Sequence, residues 1–118
     1  MDIVVACCAG LDVHKKTVVA CRRCLQSNGK VRKEVRTFGT MTADLLALSD
    51  WLAEADVTQV AMESTGVYWK PIWNVLESRF QMLLVNARHI KQVPGRKTDV
   101  KDAEWIAQLL QHGLVLPT

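Results

Sequence analysis

Proline and glycine are scarce, at 3 and 6 of 118 residues, and 49% of the chain is hydrophobic, so it can bury a core. Its length suits one domain, taken as residues 1–118. No stretch approaches the roughly 20 consecutive apolar residues of a membrane span, so no membrane role is expected. The opening "MDIVVACCAGLDV" has no basic segment before its apolar run, so it does not read as a signal peptide. There is no internal repeat and no low-complexity segment. Charge of one sign is not in large excess either. A net charge of +3 is too small to establish nucleic-acid binding, but its distribution is uneven. Basic residues cluster in "HKK" at 14–16, "RR" at 22–23, "KVRKEVR" at 30–36 and "ARHIKQVPGRK" at 87–97, which makes a phosphate-binding face an open alternative to merely solvated surface.

The four cysteines are Cys7, Cys8, Cys21 and Cys24. Cys21 and Cys24 have the C-x-x-C spacing of a zinc site. However, both pairs lie in strand-like runs, where neighbours and odd-spaced residues point to opposite faces, and no turn glycine separates Cys21 from Cys24. Buried free thiols in a reducing cytoplasm fit better.

The pattern of elements is β-β-β-α-β-α-β-α. Residues 3–13 form a near-continuous apolar run with β-branched members, a central strand. Residues 17–26 follow after a short basic turn, as the second arm of a hairpin. "SNGK" at 27–30 is a turn, and the alternating 31–39 is a third, antiparallel strand. Thr42 is expected to cap a helix to about Ala55, with Leu45, Leu48, Leu52 and Ala55 on one face. A short buried strand is expected at 58–63. A helix within 64–80 then follows, capped by Ser64 or Thr65, with Pro71 in its first turn or bending it. Another buried strand falls at 81–87, and a basic connection leads to a last helix from about Asp99 to His112, stopped by Gly113. Strands reached through helices should run parallel to the first. The fold class is therefore α/β.

The acidic residues pose the question of function. In "RKTDVKDAEWIAQLL", residues 96–110, a helical period of about 100° gathers Val100, Ala103, Trp105, Ile106, Ala107, Leu109 and Leu110 on one arc. Asp99 and Asp102 fall inside that arc. An N-cap role accounts for Asp99 alone. Asp12 ends the apolar first strand and Glu63 ends the apolar fourth, and each carboxylate in so buried a place needs a partner. If those strands are parallel neighbours, their C-terminal ends adjoin, at the edge where open α/β sheets bind ligands. A last helix packed across that end brings in Asp99 and Asp102. Four converging carboxylates need compensation, and an all-carboxylate set suits Mg²⁺ or Mn²⁺ rather than zinc. Such ions serve phosphodiester chemistry.

"GLDVHKKTVVACR", "AMESTGVYWKPIWNVLE" and "LVNARHIKQVPGRKTDVKDAEWIAQLLQHGLV" together resemble the N-terminal domain of DEDD transposases, from insertion sequences related to the Piv-type DNA invertases. These act as recombinases guided by a bridge RNA. The resemblance covers nearly the whole chain. It implies an RNase H-like (RuvC-like) mixed five-stranded sheet with helices on both faces. It also implies an acidic tetrad of Asp12, Glu63, Asp99 and Asp102 that binds Mg²⁺ (or Mn²⁺) and is catalytic. The implied activity is DNA strand cleavage and rejoining in transposition, in the cytoplasm, with DNA and guide RNA as partners. Family members continue into a coiled coil and a second domain with a nucleophilic serine. This chain stops at Thr118, and is expected to be a fragment inactive by itself.

A second reading is a nucleic-acid-binding and dimerisation module, using Lys15, Lys16, Arg88, Lys91, Arg96 and Lys97 beside the acidic blocks. A homo-oligomer is expected, through apolar surface at Leu109, Leu114, Val115 and Leu116, with Tyr68, Trp69 and Trp73 adding to it. An actin-like or sugar-kinase half-domain is disfavoured, because "VHKK" stands where that class needs a glycine-rich phosphate turn.

Overall fold

Residues 3–63, 66–86, 93–95 and 101–114 are described by the computed structural model of the chain. Five strands form one sheet: β1 (Cys7–Val13), β2 (Thr17–Leu25), β3 (Val31–Gly39), β4 (Gln59–Glu63) and β5 (Gln81–Val85). Their spatial order is β3-β2-β1-β4-β5. The first three are joined by tight turns and pair antiparallel, whereas β4 pairs with β1, and β5 with β4, in parallel. The expected connectivity and strand directions are therefore found.

The hairpin turns explain why the early strands are antiparallel. At the first, the His14 N–H bonds the Thr17 carbonyl at 2.8 Å, leaving Lys15 and Lys16 at the tip. At the second, the Asn28 side chain accepts the Lys30 N–H at 2.9 Å, and Gly29 takes a φ of 83° that a side chain would resist.

Period-two burial sorts the sheet residues to two faces. Ala9, Leu11, Val18, Ala20, Val60 and Met62 pack against helices α1 (Thr42–Glu54) and α2 (Trp69–Leu76), mainly through Leu45, Leu48, Leu52, Ile72 and Leu76. Cys8, Cys21, Ala61 and Val85 face the other way, toward α3 (Asp102–Gln111). Helices thus cover both faces.

Several boundaries differ from the sequence reading. β1 begins at Cys7 rather than at residue 3, because residues 4 and 5 bond the Gln111 carbonyl at the end of α3 instead of a neighbouring strand. β4 and β5 are shorter than expected, at Gln59–Glu63 and Gln81–Val85. Met41, not Thr42, is the residue before α1. Its N–H is held by the Asp44 carboxylate at 3.2 Å, so the acid reaching back from the first turn replaces a hydroxyl cap. α2 starts at Trp69, with Pro71 in its first turn as expected; Ser64 and Thr65 lie outside the described residues. α3 starts at Asp102 rather than Asp99, which also lies outside them. Its end matches expectation. Gly113 at φ 71° donates to the Leu110 carbonyl at 3.0 Å and Leu114 to that of Leu109 at 2.8 Å, the paired bonds of a Schellman stop.

α3 runs back along β1, fixed at its C-terminal end and in its middle. At its C-terminal end the buried Gln111 amide donates to the Ala6 carbonyl at 3.1 Å, and its oxygen accepts from Arg23 Nε at 2.9 Å. In the middle the helix comes very close to the sheet. A Cβ on Gly10 would collide with the Ala103 carbonyl and the Ala107 backbone nitrogen. Ala103, Ala107 and Cys21 supply the small surfaces that this approach needs.

The cysteines are free, and Cys8 and Cys21 are fully buried, as expected of core thiols. Burial pushes both thiols up to about 12. An unfolded thiol ionises near 8.5, so between about pH 8.5 and 12 the unfolded chain binds fewer protons than the folded one. The stabilisation is complete below that window and is lost as pH rises through it. Urea unfolding should show stability falling between pH 8.5 and 10, with these two thiols contributing about 3 kcal/mol of the fall. A Cys8→Ala/Cys21→Ala variant should show a flatter decline.

Candidate metal centre

The register of the parallel strands builds the site. Leu11 lies beside Met62, so one step further along both strands Asp12 lies beside Glu63, on the face that α3 covers. Glu63 is also paired with Val85, which places it in the middle of the parallel trio. Asp102 is the first residue of α3, and the helix lies so that its N-terminus comes to the C-terminal ends of β1 and β4. One carboxylate oxygen from each of Asp12, Glu63 and Asp102 lies within 4.8 Å of the others.

The three acids differ in exposure. Glu63 is 8% exposed, Asp12 and Asp102 are half-buried, and Glu63 Oε1 is shut off from solvent. The Asp12 carboxylate accepts a hydrogen bond from His14 Nε2 at 3.1 Å, which fixes its orientation. The α3 N-terminus carries the positive end of the helix dipole, so it offsets part of the repulsion among the acids. The set is all oxygen, drawn from three separate elements, and such a set matches a hard divalent cation.

Of the residues singled out in the sequence, Asp12, Glu63 and Asp102 are brought together. Asp99, Arg88, Lys91, Arg96 and Lys97 lie outside the described residues. Lys15 and Lys16 are exposed on the turn that follows Asp12, at the same end of the sheet as the acids. The contact of His14 with Asp12 has a single signal in the sequence, the i, i+2 spacing in "DVH". The expected apolar surface is partly corrected. Leu109 is buried, Leu114 packs half-buried under α3, and Val115 and Leu116 lie outside the described residues. Leu109 points inward because the helix stripe that carries Asp102 is the one that seals the sheet. Trp69 and Trp73 are half-buried, edge-to-face at 5.8 Å between ring centres, while Tyr68 is exposed.

The sheet order, the two helical layers and the acids at the strand ends define an RNase H-like domain of the RuvC type. A solved structure of Thermus thermophilus RuvC superposes with a TM-score of 0.60 at 12% identity, over 95% of this chain and 99% of that one. The transposase family DEDD_Tnp_IS110 matches residues 9–117, and the chain belongs to that family. No curated protein matches it. No helix among the described residues is long and apolar enough to cross a membrane.

Proposed function

We propose that this chain is the acidic-cluster domain of a DNA transposase, and that it performs metal-dependent phosphoryl transfer in cutting and rejoining DNA. The observation that carries the reading is the meeting of Asp12, Glu63 and Asp102 within 4.8 Å at the ends of adjacent parallel strands. The residues fit a bound Mg²⁺ or Mn²⁺, with Asp99 as a fourth ligand by resemblance to the family. Such an ion polarises a phosphoryl oxygen and stabilises the charge that develops on the attacking and leaving oxygens.

The chain's own residues do the positioning. Asp12 and Glu63 are held on neighbouring strands, so their spacing is set by sheet pairing rather than by flexible loops. Asp102 is set by the packing of α3. His14 orients Asp12. Lys15 and Lys16 stand where they would neutralise backbone phosphates flanking the cleaved one, a sequence-independent contact. In this reading the nucleophilic serine belongs to a further domain, the bound nucleic acids are DNA and a guide RNA, and the working form is an assembly of several copies.

The test is a metal titration followed by thermal unfolding. Mn²⁺ or Mg²⁺ should raise the melting temperature in a saturable way, because an ion that binds only the folded state stabilises it by mass action. In Asp12→Asn and Asp102→Asn variants the rise should vanish. A wild type indifferent to millimolar Mn²⁺ would remove the metal from this reading.

A further inference from the structure

We propose that Cys7 and Cys24 form a dithiol site that reacts with low-molecular-weight disulfides and closes to a cross-strand disulfide. The two residues are direct partners in the β1–β2 register. The ladder hydrogen bonds identify the kind of pair. Leu25 donates to the Ala6 carbonyl at 2.9 Å and His14 to that of Thr17 at 2.8 Å, so even-numbered β1 residues lie in hydrogen-bonded pairs and odd-numbered ones between them. Cys7–Cys24 is therefore a non-hydrogen-bonded pair. There the Cα atoms approach to about 4.5 Å and the side chains are closest. A disulfide spans Cα separations of about 4.4–6.8 Å, so this one closes without moving the strands.

Two further observations support it. Both cysteines are half-exposed, unlike Cys8 and Cys21, which lie on the opposite face under α3. Cys24 also lines a polar cavity of about 220 Å³ with Arg22, Gln26, Arg32, Glu34, Glu54 and Asp56, so its end of the pair adjoins an opening to small molecules.

The chemistry balances with one molecule of reagent. The Cys7 sulfur, as thiolate, attacks one sulfur of RSSR, forming a mixed disulfide and expelling RS⁻, which takes up the proton Cys7 lost. The Cys24 sulfur then loses its proton, attacks the Cys7 sulfur and expels the second RS⁻, which leaves as RSH. The two thiols are oxidised to one disulfide and RSSR is reduced to 2 RSH. Cys7 makes the first attack because burial and the neighbouring thiol push the Cys24 thiol up to about 12. Its Sγ–H also donates to the Ala55 carbonyl at 3.1 Å, a bond given up when the disulfide closes.

The experiment incubates the folded chain with oxidised glutathione, blocks remaining thiols, and maps tryptic peptides. The expected product links residues 1–15 to residues 24–30, with fragment ions placing the bond at Cys7 rather than Cys8. The oxidised protein should melt about 5–15 °C higher, because the bond closes the loop of residues 8–23, and should return to its starting value on reduction. Cys24→Ser should instead accumulate glutathione on Cys7. A lasting glutathione adduct on the wild type, a bond at Cys8 or Cys21, or no reaction at all would each overturn the proposal.

Discussion

Glu63→Gln is expected to abolish metal-dependent strand cleavage and rejoining when carried in a full-length transposase, while leaving the isolated domain at least as stable as the wild type. The two effects have one origin. Glu63 sits at 8% exposure between Asp12 and Asp102, with carboxylate oxygens within 4.8 Å of each other. Without metal, these like charges repel in a site that water screens poorly. Glutamine keeps the shape and removes one charge, so the metal-free melting temperature should stay or rise by a few degrees. Functional sites commonly sacrifice stability in this way. With metal the sign reverses, because the amide is a neutral and weaker ligand. The saturable rise with Mn²⁺ should disappear, and cleavage should fall at least ~10³-fold, equivalent to about 4 kcal/mol of transition-state stabilisation. A melting temperature lowered by 10 °C in metal-free buffer would instead mark Glu63 as a structural residue. Unchanged cleavage would show that the three acids do not carry the chemistry.

The order of elements was legible because each signal was local and strong. β1 reads as a buried run, "SNGK" as a turn, and Leu45, Leu48 and Leu52 as one helix stripe. Their burial follows from chain-neighbour spacing alone. The acids were legible for a different reason. Asp12 and Glu63 each end an apolar strand, and parallel pairing of those strands turns two anomalies into one site. Other features depend on contacts far apart in sequence. Gln111 lies fully buried 105 positions from the Ala6 carbonyl it bonds, and on a helix surface it reads only as a polar residue. Arg22 reads as half of a basic pair. In the fold it is buried, bonded to Glu34 Oε1 at 2.9 Å and to the Trp51 carbonyl, with its guanidinium 4.3 Å from the Trp51 ring centre. It therefore joins β2, β3 and α1 rather than presenting charge to a nucleic acid. Of the basic runs, the pair at Lys15 and Lys16 stays exposed beside the acids, whereas Lys33 is drawn toward Glu104 of α3 at 3.6 Å.

Gly10 is where fold and site depend on the same atom. It lies two residues before Asp12 in a strand of otherwise larger side chains, a placement that signals close backbone approach. Gly10→Ala should lower both stability and metal binding. The new methyl would meet the Ala103 carbonyl and the Ala107 nitrogen, with Ile106 Cβ at 3.0 Å, and none of these can rotate away. α3 must lift from β1, against the Gln111 bonds that hold its far end. Overpacking of this kind costs about 1–3 kcal/mol, roughly 4–15 °C in melting temperature for a domain of this size. The displacement also carries Asp102, the residue before Ala103, away from Asp12 and Glu63. Misplacement of a positioned group by about 1 Å costs on the order of 10²-fold in rate. Thermal unfolding with and without Mn²⁺ separates this variant from the others. Asp102→Asn should lose the metal response and keep its metal-free melting temperature, whereas Gly10→Ala should lose both. A Gly10→Ala protein that melts and binds Mn²⁺ like the wild type would mean that Asp102 is not positioned by the contact between α3 and β1.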